Sequence, residues 1–317
     1  MKPTKRGRAS ATVRLEGLRI LVVGGIGTLG STFARVALSR GAQVLIADRY
    51  ASPENERVQA VQAHLEAAAE RPDDLAAPIS LDVTDIEQCV TVLESCADES
   101  PLDVVVNFAG LHHPPMDLLL DGPTHLLEAF QRVVDINLTG AFALTVASAR
   151  VMAPHRHGHL IHLCSNGSRA SLYGSYGYNA SKHGVEALVK TAAAQLAPLG
   201  VRVNGVAPGT VITDLNRGLN FDEAGNPRPR ARSILARTPT KRFATAEGVA
   251  STVLAMCVDQ PHFTGNVVFC DDGYNIEGHS WPEGNMALYE GSSALERLYS
   301  SLDDVYPRAE ATQKEDS

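Results

Sequence analysis

No Cys-x-x-Cys pair occurs in this chain of 317 residues, and its five cysteines (Cys89, Cys96, Cys164, Cys257, Cys270) are scattered and odd in number. That argues for reduced thiols in a cytoplasmic protein, against a disulfide framework or a zinc site. No apolar run approaches the roughly 20 residues that a membrane span needs. Positive charge is not in excess: 28 Lys and Arg face 36 Asp and Glu, for a net charge of -8. This removes the general electrostatic case for nucleic acid or an anionic membrane as partner. Neither an internal repeat nor a linker divides the chain. The first residues, Met1 to Arg14, are basic and contain no acid, and no apolar segment of the secretory kind follows. A transit peptide has such a composition, but the stretch 1–16 is read as a solvated, disordered tail.

What is present is a regular alternation. Leu18 to Val23 is a short β-branched apolar run and predicts a buried strand. Gln43 to Asp48, Pro78 to Val83, Asp103 to Gly110, Gly158 to Ser165, Val201 to Ala207 and Gly265 to Cys270 read the same way. Helical patterns lie between them, the longest being Leu126–Met152 and Tyr178–Leu199. Nearly continuous apolar strands separated by helices predict an α/β fold: one doubly wound, Rossmann-like parallel sheet of about seven strands, with helices on both faces, over 17–276. Ligands then bind beyond the carboxyl ends of the strands. The polar, Arg- and Pro-rich segment Gly209–Ala244 is too long for a plain connection and predicts a mobile substrate lid. Residues 277–317 form an extension with a helix expected over Met286–Val305.

Gly24-Gly25-Ile26-Gly27-Thr28-Leu29-Gly30 follows the first strand and opens a helix. Gly25, Gly27 and Gly30 match the pattern G-x-G-x-x-G in its required context. Glycines there admit a diphosphate to the backbone, and the helix start offers free N–H groups. Asp48 ends the second strand 18 residues after Gly30, where a carboxylate grips an adenosine ribose and repels a 2′-phosphate. NAD is therefore expected over NADP, although Arg49 beside it is able to pair with that phosphate. Asp82 and Asn107 end further strands at the same edge. His112 and His113 lie in the loop over that edge; they either touch substrate or are simply solvated, and no metal site is expected.

Tyr178-Asn179-Ala180-Ser181-Lys182 places a phenol and an ammonium on one helix face. A nearby cation is expected to lower the phenol's pKa from its usual value of about 10, giving a general acid/base for an alcohol or carbonyl. Ser165 ends the fifth strand just before the Ser- and Gly-rich stretch Asn166–Gly177. Asn137, a poor helix former, sits within a long helical pattern, a cost that invites a functional reason.

Together these landmarks resemble the short-chain dehydrogenase/reductase family over about Leu18 to Tyr274. The resemblance implies a catalytic set of Asn137, Ser165, Tyr178 and Lys182. Tyr178 would be the acid/base; Lys182 would lower its pKa and hold the nicotinamide ribose; Ser165 would hydrogen-bond the substrate oxygen; Asn137 would order a water linking Lys182 to solvent. It also implies cofactor contacts from Gly24, Gly25, Gly27, Thr28, Leu29, Gly30, Asp48, Arg49, Asp82, Val83, Asn107, Ala109 and Gly110. Tyr178, Lys182, Pro208, Gly209, Val211 and Thr213 complete that set. Val23, Thr28 and Phe108 stand where the family usually has Thr, Gly and Asn. The lid residues resemble the sugar-acid oxidoreductases of the fructuronate (D-mannonate) type, with Arg217, Arg228, Arg230 and Arg242 able to pair with a carboxylate. The expected function is hydride transfer between NAD and a secondary alcohol or ketone, a polyol, sugar or sugar acid. The alternatives are a ketoacyl or other carbonyl reductase, and a catalytically silent NAD-binding sensor. The family also implies a homodimer or homotetramer, formed through the two long helices.

Overall fold

The computed structural model describes residues 13–113, 115–170, 172, 174–258 and 260–276, without the side chains of 214 and 215. By its internal contacts the chain divides into Met1–Asn275 and Ile276–Ser317. The fold is that of the first unit. The extension 277–317, with its expected helix, and most of the basic tail lie outside the described residues.

Seven strands form one parallel sheet: β1 (Arg19–Val23), β2 (Gln43–Asp48), β3 (Ile79–Ser80), β4 (Val104–Asn107), β5 (Gly158–Leu163), β6 (Val201–Pro208) and β7 (Val267–Cys270). Their order across the sheet is β3-β2-β1-β4-β5-β6-β7. The chain winds outward from β1 to one edge and then from β4 to the other, so a crevice opens at the carboxyl ends of β1 and β4, where the winding reverses. Register fixes what faces it: Val23 pairs with Ala47 and Asn107, and Asn107 with His162.

Alternation along each strand makes two cores. Ile20, Val22, Ile46, Val106 and Val206 point to one face, against α1 (Thr28–Leu38), α2 (Glu56–Glu66) and α9 (Ala246–Cys257). Leu21, Val23, Leu45, Val105 and Val203 point to the other, against α3 (Ile86–Glu99), α5 (Gly140–Met152) and α6 (Tyr176–Leu196). Full burial of side chains such as Phe33 and Leu144 contributes about 1.5–3 kcal/mol each. The interiors of β1, β2 and β4 are apolar because both faces are covered, which is why their pattern lacks alternation of polarity.

Three elements differ from the sequence reading. β3 keeps only two of the residues expected for it, since the chain leaves the sheet edge at Leu81 to let Asp82 accept from Thr84 N (3.0 Å) and Asp85 cap α3. The long helix expected over Leu126–Met152 starts earlier, as α4 (Pro123–Val134), and is broken by a π segment, Asp135–Thr139, before α5. The rod Pro123–His155 is long and apolar enough to cross a membrane by composition alone, yet more than half of its apolar window is buried in the fold. The segment 209–244 is ordered by α7 (Asp214–Asn220) and α8 (Pro229–Arg237), and a bridge from Val211 to Ala244 ties its ends.

Candidate active site at the carboxyl edge of the sheet

Ser165 leaves β5 in extended backbone, and Tyr178 sits in the first turn of α6. The Tyr178 phenol donates to Ser165 Oγ at 3.1 Å, and Gly167 N donates to the same oxygen at 2.9 Å. Gly167 permits this approach: a Cβ there would lie 3.3 Å from both Ser165 Oγ and Tyr178 Cε1. One turn along α6, Lys182 is buried, donates to the Leu163 carbonyl at 2.7 Å and lies 5.8 Å from the Tyr178 ring centre.

Asn137 comes from the π segment, a device that widens a helix and often marks a functional position. Its Oδ1 accepts from Leu111 N (2.7 Å), and its Nδ2 donates to Leu111 O (2.9 Å) and Ser181 Oγ (3.1 Å). Asn137 thus stands in for a strand neighbour of Leu111 and ties that loop to α6. Ser181 in turn donates to the Tyr178 carbonyl at 2.8 Å. Asn137 Oδ1 and Lys182 Nζ both border Gly110, where a Cβ would lie 3.4 and 3.6 Å from them. The four residues of the expected catalytic set are therefore brought into one cluster.

Its electrostatics depart from expectation. Burial pushes the Tyr178 phenol up, with the Ser165 hydrogen bond working the other way. The expected lowering by Lys182 is not found. Burial pushes the ammonium itself down to about 8, and it is drawn to a backbone carbonyl rather than to the phenol. Beneath the cluster, His162 is fully buried between Asn107 Nδ2 (3.3 Å) and Thr145 Oγ1 (3.0 Å) and is pushed down to about 3, first by burial and then by the charge of Lys182. It is a neutral structural histidine at ordinary pH. Above the cluster, the His112 ring lies 4.6 Å from the Tyr178 ring and is lowered to about 4 by burial, then by Arg230 and His113. His112 is half-buried against the phenol, so the reading of it as a solvated loop residue does not hold.

The glycine loop divides its labour more finely than its motif suggests. Gly24 has φ +76°, and a Cβ on it would sit 2.7 Å from Ala109 N. A Cβ on Gly25 would strike Ile46 Cγ2, and one on Gly30 would strike Gly24 O. These three glycines are required by the protein's own packing. Gly27 is different, since its Cβ would meet only Gly24 O, at 3.3 Å. No side chain caps α1 at Gly27, and its first turn has no acid. Free N–H groups beside a glycine cradle fit the diphosphate of a dinucleotide. Thr28 and Leu29 are half-buried in that same first turn.

Asp48 fixes the loop, accepting from Ile26 N (3.1 Å) and Tyr50 N (3.0 Å). Arg49 turns to Asp82 (3.3 Å), and the two border an open cavity of about 490 Å³ with Thr84 and Arg132. Burial raises Asp82, but the Thr84 N–H and hydroxyl, with Arg49, hold it below the usual carboxylate value. Val83 is buried under Gly140. Asn107 accepts from Ala109 N (3.0 Å), which shapes the turn into Gly110. Pro208 ends β6, Gly209 donates to Cys270 O (3.1 Å), Val211 bridges to Ala244 and Thr213 caps α7. Sequence reasoning gave no role to Gly167 or Ser181. Ser181 was legible in principle, lying three residues after Tyr178 on the same helix.

A family model described as enoyl-(acyl carrier protein) reductase matches residues 25–275. The chain is 31% identical over 268 residues to a mitochondrial borneol dehydrogenase of Lavandula x intermedia, spanning 83% of this chain and 92% of that one. It is also 31% identical over 269 residues to a 3-oxoacyl-[acyl-carrier-protein] reductase of Thermotoga maritima, spanning 83% and 100%. Among solved structures, a candidate NAD(P)-dependent gluconate 5-dehydrogenase of Beutenbergia cavernae, with NADP bound at low occupancy, superposes with TM-score 0.72. It is 27% identical, over 83% of this chain and 99% of that one. With its doubly wound sheet, glycine cradle and Tyr178–Ser165–Lys182 cluster, the chain belongs to the short-chain dehydrogenase/reductase family of oxidoreductases.

Proposed function

We propose that this chain is an NAD-dependent dehydrogenase/reductase acting on a secondary alcohol or ketone of a polyol, sugar or sugar acid, with Tyr178 as acid/base. The observation that carries this is the 3.1 Å contact of the Tyr178 phenol with Ser165 Oγ, one helical turn from the buried Lys182. Two hydroxyls converging on one point are suited to holding a substrate oxygen. Burial keeps the phenol protonated at neutral pH, which supports donation to an oxygen gaining negative charge. Nicotinamide, when bound, supplies or accepts the hydride at the neighbouring carbon. Gly27, the uncapped start of α1 and Asp48 are the residues that would hold the dinucleotide.

The NAD preference rests on Asp48, a carboxylate anchored by two backbone N–H groups at the end of β2, with Arg49 drawn away to Asp82. The sugar-acid reading of the fructuronate type rests on the basic lid. A ketoacyl thioester is the second reading, favoured by the 31% identity to a 3-oxoacyl reductase; the net charge of -8 disfavours docking of an acidic carrier. Cofactor absorbance with NAD and NADP, across polyols, sugar acids and an acetoacetyl thioester, tests all three. Turnover at least tenfold faster with NAD is expected, narrowing in Asp48→Ala. NADP preference would remove the cofactor assignment, and turnover of the thioester alone would remove the sugar reading.

We also propose a homo-oligomer, because Leu127 on α4, Phe142 on α5 and Tyr176 on α6 are large apolar side chains left exposed. A native mass of one chain, 33.8 kDa, would overturn it.

A further inference from the structure

The segment between β6 and α9 carries seven basic side chains, and six have an evident place. Arg228 donates to Phe221 O (3.0 Å), Arg232 to Pro227 O (2.6 Å) and Lys241 to Ala236 O (2.7 Å). Arg217 and Arg237 lie over the rings of Phe221 (6.0 Å) and Tyr274 (5.1 Å). Arg242 is exposed to solvent. Arg230 is the remaining one. Among the described residues its Nε is buried with no hydrogen-bond partner, and no ion pair includes it. A buried donor on a charged group left unmatched is costly, so its partner is to be sought outside the protein.

Position indicates the partner. Arg230 lies in the first turn of α8, within the segment that leaves the carboxyl end of β6, the same sheet edge at which Tyr178 opens α6. Its charge is also felt at His112, whose ring packs at 4.6 Å on Tyr178 and whose Nε2 lies 3.3 Å from Ser175 Oγ. His112 thus packs on the phenol and feels the charge of the guanidinium. An imidazole is either neutral or cationic, so His112 offers the guanidinium no negative charge.

We infer that Arg230 binds a carboxylate on the substrate, so that the molecule whose hydroxyl or keto carbon sits at Tyr178 is a hydroxy or keto acid. This rests on the proposed dehydrogenase activity and narrows its substrate class. Arg230 is a specificity residue: it selects for charge and takes no part in proton or hydride transfer. A guanidinium pairs with a carboxylate in a two-pronged geometry that an ammonium does not reproduce.

The test uses the full chain saturated with NADH, five- and six-carbon aldonates, and the matching neutral alditols. Calorimetric binding and turnover with NAD are both measured, for the wild type, Arg230→Gln and Arg230→Lys. Aldonates should bind the wild type better than alditols. Arg230→Gln should weaken aldonate binding and kcat/KM about 10- to 100-fold and leave alditols unchanged, with Arg230→Lys between. If no aldonate binds better than its alditol, or if Arg230→Gln treats aldonates as the wild type does, the inference falls. Aldonate binding that depends on Arg230 without any turnover would keep the subsite and overturn the dehydrogenase reading. Aldonate turnover indifferent to Arg230 would do the reverse.

Discussion

Tyr178→Phe should lower kcat by about 10²–10⁴-fold, the range by which a positioned general acid accelerates proton transfer, while NAD binding stays within a few fold of the wild type. The two effects separate because the phenol and the glycine cradle are different parts of the site. Gly27 and the uncapped start of α1 lie at the carboxyl end of β1, and Asp48 at that of β2; the substitution touches none of them. Stability should change little. The phenol makes one hydrogen bond, to Ser165, and Ser165 Oγ keeps the Gly167 N–H at 2.9 Å when that bond is lost. The cost is that of one ordinary hydrogen bond, about 1 kcal/mol. Stopped-flow turnover alongside cofactor titration reads both quantities. A catalytically silent sensor would lose nothing, and that outcome would end the enzymatic reading. Loss of cofactor affinity in parallel with kcat would show the ring to be a binding wall rather than an acid.

Much of this was legible in the sequence because both of its strongest signals are local. The run Gln43–Asp48 coincides with β2 residue for residue, since a strand covered on both faces favours apolar residues through its interior. The spacing of Tyr178 and Lys182 places them on one helix face whatever surrounds them. What escaped depends on burial and distant partners. The short β3 lies at an edge, paired on one side only, where periodicity says nothing of when the chain turns away. The π segment at Asn137 arises because Leu111, 26 residues earlier, needs a partner for its N–H and carbonyl. The expectation that Lys182 acidifies Tyr178 counted the charge but not the desolvation of both groups. Likewise His112 read as a solvated loop residue because no local pattern shows that the loop folds back onto α6.

Lys182→Met should make the protein inactive and, at pH 7, more stable. Burial lowers the ammonium's pKa from 10.5 to about 8. Below pH 8 both folded and unfolded chains carry the charge, and the folded one bears the whole desolvation cost, about 3 kcal/mol at most for a shift of this size. Between about pH 8 and 10.5 only the unfolded chain keeps its proton, so this group's contribution to stability rises with pH across that window. Methionine removes the charge at similar length but leaves the Leu163 carbonyl, now accepting from Nζ at 2.7 Å, without its donor, a loss of about 1 kcal/mol. The net gain at pH 7 is about 1–2 kcal/mol, or roughly 2–8 °C in Tm for a domain of this size. Tyr178 acts in the opposite sense: its raised pKa lowers stability as pH climbs above 10. That effect is common to wild type and variant and cancels in their difference. The difference in unfolding free energy should therefore be largest at pH 7 and shrink steadily from pH 8 to 10.5. A variant less stable than the wild type at pH 7, or a difference that ignores pH, would mean that the cation is held by attraction inside the fold. A gain in stability coupled to loss of turnover would show instead that this buried charge is maintained at the fold's expense for its place beside Tyr178.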